Sequence, residues 1–186
     1  MNNRTEYKRA RAEFDSYDSS VWGKDGFVLC VDGKKVHIDG FDKQSGGFVV
    51  YHKEHEFDPT KGRYGFPRGN YEKLASGVLT KYGMKVELGS ENQGENQDKN
   101  KIPDGLLNGK IFDIKGVEGT GKDNILKDIK STSKKNAEIL VLYYHDKKLF
   151  NEMKIRESYK TYMRNSESKR IQQIYYIIDR KLYTLK

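Results

Sequence analysis

The chain has 186 residues, 35 of them Lys or Arg against 27 Asp or Glu, for a formal net charge of +8 with 35% hydrophobic residues. That length holds one good core, and no apolar run approaches the roughly 18 residues of a membrane span, so no spanning helix is predicted. The basic surplus favours a polyanionic partner, nucleic acid foremost, and the single cysteine, Cys30, excludes an intrachain disulfide and a thiolate metal site.

Residues 4–17 place Tyr7, Ala10, Phe14 and Tyr17 at spacings of three and four, which predicts a short amphipathic helix with a basic outer face. The N-terminus shows no apolar signal-peptide region, so if the chain is secreted, a larger parent protein or a delivery machine is expected to export it. Strand patterns at 27–31 and 35–38 flank Asp32-Gly33-Lys34 and predict a hairpin, with Cys30 a small buried residue in its apolar run. Residues 40–47 read as a loop and 48–51 as a further strand. We take 1–45 as an N-terminal helix-and-hairpin extension and 46–186 as the core of a single compact domain.

His52 and His55 follow that strand among Glu54, Glu56 and Asp58. The His-x-x-His spacing lacks four convincing zinc ligands, so substrate contact, proton transfer or a surface loop position are the readings carried forward. Residues 58–70 hold two of the three prolines and three glycines, the composition of an exposed loop. Asn70 is placed to N-cap a helix over 71–82 with the stripe Tyr71, Leu74, Ala75, Val78, Leu79 and Tyr82. On a helical wheel Glu72 lies beside Leu79 at the edge of that stripe, where a carboxylate reaches toward a sheet. A first-turn Glu complementing the helix dipole explains it equally well. After a strand at 85–88, residues 89–100 contain no apolar side chain and are expected to form a loop suited to gating substrate, with Glu91 and Glu95 either approaching a metal or, as is usual for loop carboxylates, solvated.

Asn108-Gly109 sits between short apolar runs, the strongest local signal for a two-residue hairpin turn. With those residues as the turn, Leu107 faces Lys110, Leu106 faces Ile111 and Asp104 faces Asp113. Alternation puts Asp104, Asp113 and Lys115 on one face and Leu107, Phe112 and Ile114 on the other. Two carboxylates directly opposite stand roughly 4.5–5.5 Å apart at Cβ and repel. A divalent cation between them would relieve that repulsion, with the lysine alongside a developing anion.

Gly116 to Lys122 mimics a Walker loop, but Asp123 stands where a Ser or Thr must hold magnesium, which argues against nucleotide hydrolysis. Residues 123–137 are predicted helical, with Ile125, Leu126, Ile129 and Ala137 inward and Lys127, Lys130, Lys134 and Lys135 outward. Together with Lys122 these lysines form a candidate phosphate-backbone patch. The apolar run 139–144 reads as a central strand buried on both faces, 149–163 as a basic helix, and 171–178 with 181–185 as a closing hairpin about Asp179-Arg180. Some of the 13 tyrosines suit base stacking, and core packing accounts for most of them equally well. The element order predicts an α/β fold with a single mixed sheet flanked by helices.

Pro103-Asp104, eight residues, then Asp113-Ile114-Lys115 fits the signature of PD-(D/E)XK metal-dependent nucleases. Residues from about 46 to 144 resemble the C-terminal tRNase domains of contact-dependent growth inhibition (CdiA-type) toxins. The parts carrying the resemblance are Gly46-Gly47-Phe48-Val49 with His52, Glu72 on its helix, Gly83-Met84-Lys85-Val86-Glu87-Leu88, the Pro-Asp hairpin and the strand 139–144. The resemblance implies a PD-(D/E)XK core and a toxin-type endoribonuclease cutting tRNA or other RNA, with DNA the other substrate class. It implies Mg²⁺ or Mn²⁺ held by Asp104, Asp113 and Glu72, with the Ile114 carbonyl a further ligand and Lys115 acting on the nucleophile or the developing charge. It also implies substrate contact by His52 and His55, a cytoplasmic site of action, delivery as part of a larger protein, and an immunity protein as partner. Two rival readings stay open. One is a metal-independent ribonuclease of the barnase, EndoU, colicin or RelE kind, using His52 or His55 with Lys115. The other is a non-enzymatic nucleic-acid-binding module.

Overall fold

The computed structural model describes residues 4–90, 102–165 and 169–185. In chain order the elements are α1 (Arg4–Ser16), β1 (Trp22–Gly23), β2 (Phe27–Val31), β3 (Lys34–Ile38), β4 (Phe48–His52), α2 (Gly69–Lys81), β5 (Lys85–Leu88), β6 (Gly105–Leu107), β7 (Lys110–Gly116), α3 (Asn124–Lys134), β8 (Ile139–Tyr144), α4 (Glu152–Asn165), β9 (Gln173–Ile178) and β10 (Lys181–Thr184). Eight strands form one mixed sheet in the order β1-β4-β5-β6-β7-β8-β9-β10. β5, β6 and β7 run as an antiparallel meander, while β4 lies parallel to β5 and the trio β7, β8 and β9 is parallel. The expected α/β class is present, but the sheet is not the only one: β2 and β3 pair in a separate two-stranded sheet.

Register sorts the side chains onto two faces. Val49, Val86, Leu88, Leu107, Phe112, Ile114 and Val141 pack with Leu74, Val78 and Leu79 of α2 and with Phe27, Leu29 and Val31 of the small hairpin. On the opposite face Leu140, Leu142, Tyr144 and Ile174 pack with Ile125 and Ile129 of α3 and Ile155 and Tyr162 of α4. Farther along, Phe48 and Val50 meet Tyr7, Ala10, Phe14 and Tyr17, the predicted stripe of α1. All six residues of β8 are buried, as its unbroken apolar run requires. Truncating a fully buried leucine such as Leu79 or Leu140 to Ala is expected to cost about 2–5 kcal/mol.

Three hairpins turn on paired residues at positive φ, the geometry of a type I′ turn: Asp32-Gly33, Asn108-Gly109 and Asp179-Arg180. Four local expectations are corrected. Cys30 is exposed, because β2 covers α2 with one face only and alternation turns Cys30 and the 63%-exposed Val28 outward. Asn70 does not cap α2; Arg68 holds that position, and Asn70 is buried in the first turn with its amide donating to the Cys30 carbonyl at 3.4 Å. The segment 58–70 is partly packed, since Phe66 is buried against Tyr71 and His145. Loop carbonyls also take the first α2 amides, Gly69 N–H donating to Asp58 O at 2.9 Å, so no side-chain cap is needed. Finally, α4 begins at Glu152, after a single 3-10 turn at Lys147–Leu149.

Candidate active site

The meander β5-β6-β7 builds one wall of the site. Its turn at Asn108-Gly109 pairs Leu107 with Lys110, Leu106 with Ile111 and Gly105 with Phe112, so Asp104 arrives opposite Asp113 as the turn chemistry predicts. Gly105 allows this: a Cβ there would lie 1.8 Å from the Glu87 carbonyl oxygen, so no side chain fits where β6 meets β5. Asp104 then turns inward, and its Oδ2 accepts the Ile114 backbone N–H at 2.6 Å.

Asp113 is wholly buried and its oxygens are taken. Oδ1 accepts from Lys135 Nζ at 2.7 Å, while Oδ2 accepts from Thr132 Oγ1 at 2.8 Å and pairs with Lys115 Nζ at 2.8 Å. Lys135 Nζ also stands 3.9 Å from Asp104 Oδ1. The two ammonium groups therefore supply the positive charge that facing carboxylates demand. Burial alone would raise the Asp113 carboxyl, yet the charges and hydrogen bonds of Lys115 and Lys135 hold it below the ordinary range. Asp104 sits well above that range, through burial first and then the negative charges of Asp113 and Glu72. Burial pushes the Lys115 ammonium down, but Asp113 and Asp104 outweigh it and raise its pKa, so Lys115 stays cationic.

Lys135 is a correction: it is not outward. α3 ends at Lys134, and Lys135, at the C-cap, leaves the helical wheel and turns toward the strands, its side chain only 13% exposed. Thr132 extends the buried Ile125–Ile129 stripe by three residues, and a polar residue on such a stripe was the available signal for a partner in the sheet.

Glu72 enters from α2, as its wheel position predicts. Its Oε2 meets His55 Nε2 at 2.9 Å, and His55 Nδ1 lies 2.6 Å from the Gly89 carbonyl oxygen. A carbonyl only accepts, so Nδ1 carries a hydrogen and donates to Gly89. The His55 side chain has no exposed surface, which corrects its placement as a substrate-contacting or surface residue. His52 stays apart from it, its Nδ1 accepting the Glu54 N–H and its ring edge-on to Trp22, so the His-x-x-His pair does not converge.

These groups meet at a cleft of about 380 Å³ whose walls include Arg68, Tyr71, Glu72, Asp104, Lys115 and Lys135. Lys122, Lys127, Lys130 and Lys134 are exposed on and beside α3 and do not line it. The Walker-like loop is a clasp and not a phosphate cradle. A Cβ on Gly116 would strike the Tyr71 ring, and Glu118 accepts from Arg68 Nε at 3.0 Å, Arg68 Nη2 at 2.9 Å, the Arg63 N–H at 3.0 Å and Tyr71 Oη at 3.0 Å. Glu91 and Glu95 lie outside the described residues, as does most of the expected gating loop.

Mg²⁺ or Mn²⁺ fits the donor chemistry. Asp104 and Glu72 present hard oxygens at the cleft, and Mg²⁺ is commonly held by one or two carboxylates completed by substrate phosphate and water. Among the described residues no three acidic, imidazole or thiol side chains already stand grouped for an ion. Asp113 would join only by releasing a lysine.

The hairpin, α3 and β8 lie in a segment that is similar to a known family. Residues 101–182 match the family model of the contact-dependent growth inhibition CdiA C-terminal domain. This CdiA-like segment is less than half of the chain; it contains Asp104, Asp113, Lys115, Thr132 and Lys135 and leaves out Glu72 and His55. It also starts later and runs further than the 46–144 region on which the sequence resemblance was drawn, taking in α4 and β9. No curated protein and no solved structure matches the chain. Among the described residues no helix is long and apolar enough to cross a membrane.

Proposed function

We propose that this chain is a toxin-type, metal-dependent nuclease with a PD-(D/E)XK-like site, hydrolysing phosphodiester bonds of tRNA or another RNA. One observation carries the reading: the Pro-Asp hairpin brings Asp104 and Lys115 to the wall of a cleft that α2 completes with Glu72, with Asp113 buried behind Lys115. The match of residues 101–182 to a CdiA C-terminal domain supports a toxin context, in which an immunity protein is the expected partner and another cell the expected target.

Asp104 and Glu72 would hold the cation, which when bound supplies Lewis-acid activation of water and charge neutralisation at the phosphate. Lys115, kept cationic by its carboxylate neighbours, donates hydrogen bonds to the phosphoryl oxygens where negative charge grows, a role an ammonium fills and a general base does not. Lys135 adds a second ammonium at the same wall. Asp113 holds both lysines in place, and Thr132 fixes its remaining lone-pair direction. The rim and the α3 lysines give the nucleic-acid backbone a basic approach. The buried, doubly engaged His55 and His52, which does not line the cleft, favour this mechanism over acid–base cleavage by a histidine.

The test is incubation of the purified chain with total tRNA and with plasmid DNA, each with Mg²⁺ and with EDTA. Cleavage of RNA with Mg²⁺ and none in EDTA is expected. Cutting in EDTA would overturn the metal dependence, DNA cutting alone would overturn the RNA substrate, and no cutting of either would overturn the nuclease.

A further inference from the structure

We infer that His55 is a positioning residue for Glu72: its imidazole, braced against the Gly89 carbonyl, holds one carboxylate oxygen so that the other is presented to the cleft. The role rests on the metal-dependent reading above and names a residue that substrate never touches.

A glutamate has three rotatable side-chain bonds, and a free one loses its preferred orientation easily. Here Glu72 Oε2 is fixed at 2.9 Å by His55 Nε2, while the residue lines the cleft. The ring itself has no freedom to follow. Nδ1 donates to Gly89 O at 2.6 Å, the Phe57 ring stands edge-on at 4.7 Å, and the His55 backbone N–H closes a turn onto His52 O at 2.9 Å. That turn, set by the three-residue spacing from the end of β4, directs His55 inward while His52 faces Trp22. The brace at Gly89 is itself anchored, because Gly89 N–H donates to Asp104 O at 2.8 Å. Gly89, His55, Glu72 and Asp104 thus form one connected unit, tying the position of the α2 carboxylate to that of the hairpin carboxylate. An imidazole oriented at one end so that it can hold a carboxylate at the other is how supporting shells fix the geometry of ligands, and losing such support typically costs 10–100-fold in metal affinity.

Two conservative variants separate the ends of the ring. In His55→Asn the amide nitrogen falls near the place of Nδ1, keeping the Gly89 bond and losing Glu72. In His55→Gln it falls near Nε2, keeping Glu72 and losing Gly89. Each retains one of the two bonds, and thermal melts confirm which remain folded. Isothermal titration with Mn²⁺ alone should show a dissociation constant raised about tenfold in His55→Asn and changed less than about threefold in His55→Gln. In a Glu72→Gln background, His55→Asn should weaken Mn²⁺ binding no further, the mark of a residue acting through another. Binding of a labelled RNA oligonucleotide in EDTA should be unchanged in both. Unaltered Mn²⁺ affinity in His55→Asn, a larger loss in His55→Gln than in His55→Asn, or weakened RNA binding in EDTA would each overturn the role. A wild-type chain that takes up no Mn²⁺ would remove the metal-dependent reading and this role with it, an outcome distinct from a site that binds Mn²⁺ and ignores residue 55.

Discussion

Lys135, the C-cap residue just past α3, reaches back to the sheet and places its ammonium 2.7 Å from Asp113 Oδ1. Together with Lys115 on the other oxygen it makes a buried carboxylate tolerable, and both cations depend on that carboxylate for their positions. Folding and the proposed chemistry thus meet at this one group.

Removing Asp113 strips two poorly solvated ammonium groups of their common partner, and removing Lys135 leaves buried Asp113 with Lys115 alone and its Oδ1 unpaired. Lys135→Met is expected to destabilise the fold by about 3 kcal/mol and to lower cleavage by about 10²-fold. Urea melts and initial rates check both. Asp113→Asn should be worse for stability than an exposed carboxylate substitution, since two ammonium groups lose their common partner. Unchanged stability in both variants would show that the contacts are not formed in solution.

Asp128 tests the same region by pH. Burial pushes its carboxyl up to about 6, Lys115 opposing and Asp113 adding to the rise. A folded pKa raised above the unfolded value favours the protonated native state, so this contribution is present at low pH and lost as pH climbs toward 6 and beyond. Asp128→Asn should remove that slope between about pH 4 and 6 and exceed the wild type in urea midpoint at pH 7.

Glu118 behaves in the opposite sense. Burial alone would raise its carboxyl, but hydrogen bonds from Arg68, the Arg63 N–H and Tyr71, with the Arg68 charge, lower it. Stability from a depressed carboxylate is present above its unfolded value, about 4.3, and drains away as pH falls through the folded one. Glu118→Gln should weaken the clasp between segment 62–71 and the β7–α3 loop at neutral pH, and flatten acid destabilisation below about pH 4.5. Protease sensitivity of segment 58–70 would report the same loosening.

The outward lysines of α3 predict salt dependence. Neutralising Lys127, Lys130 and Lys134 together should reduce the slope of log affinity against log salt by about 0.7 per lost contact on single-stranded RNA, with the melting temperature unmoved. An unchanged slope would place the nucleic-acid backbone elsewhere.

Elements whose partners are local in sequence were legible. The Asn108-Gly109 turn fixed its own register and with it the facing of Asp104 and Asp113, because a two-residue I′ turn leaves no freedom in pairing. The stripes of α1 and of α2 as far as Leu79 and the fully apolar β8 likewise declared their burial, and the α2 stripe put Glu72 at its inner edge. Tyr82, expected to continue that stripe, is 52% exposed because α2 ends at Lys81 and Tyr82 is its C-cap. Misreadings came where burial depends on what covers a surface. Cys30 lies in a run as apolar as a central strand, but only one face of that hairpin meets α2. His55 reads as a loop residue until Glu72 and Gly89, 17 and 34 positions away, close on it.

By itself the sequence determined the α/β class, the hairpin that confronts two carboxylates, and the demand for positive charge between them, since these follow from turn stereochemistry, side-chain alternation and Coulomb repulsion within a few residues. Only the tertiary structure decided how that demand is met: with Lys115 beside Asp113, with Lys135 arriving from the end of a helix 22 residues on, and with Glu72 held by a buried imidazole. The reason is geometric. Where a chain segment ends and which face a neighbour covers are properties of packing among distant elements, and no local pattern carries them.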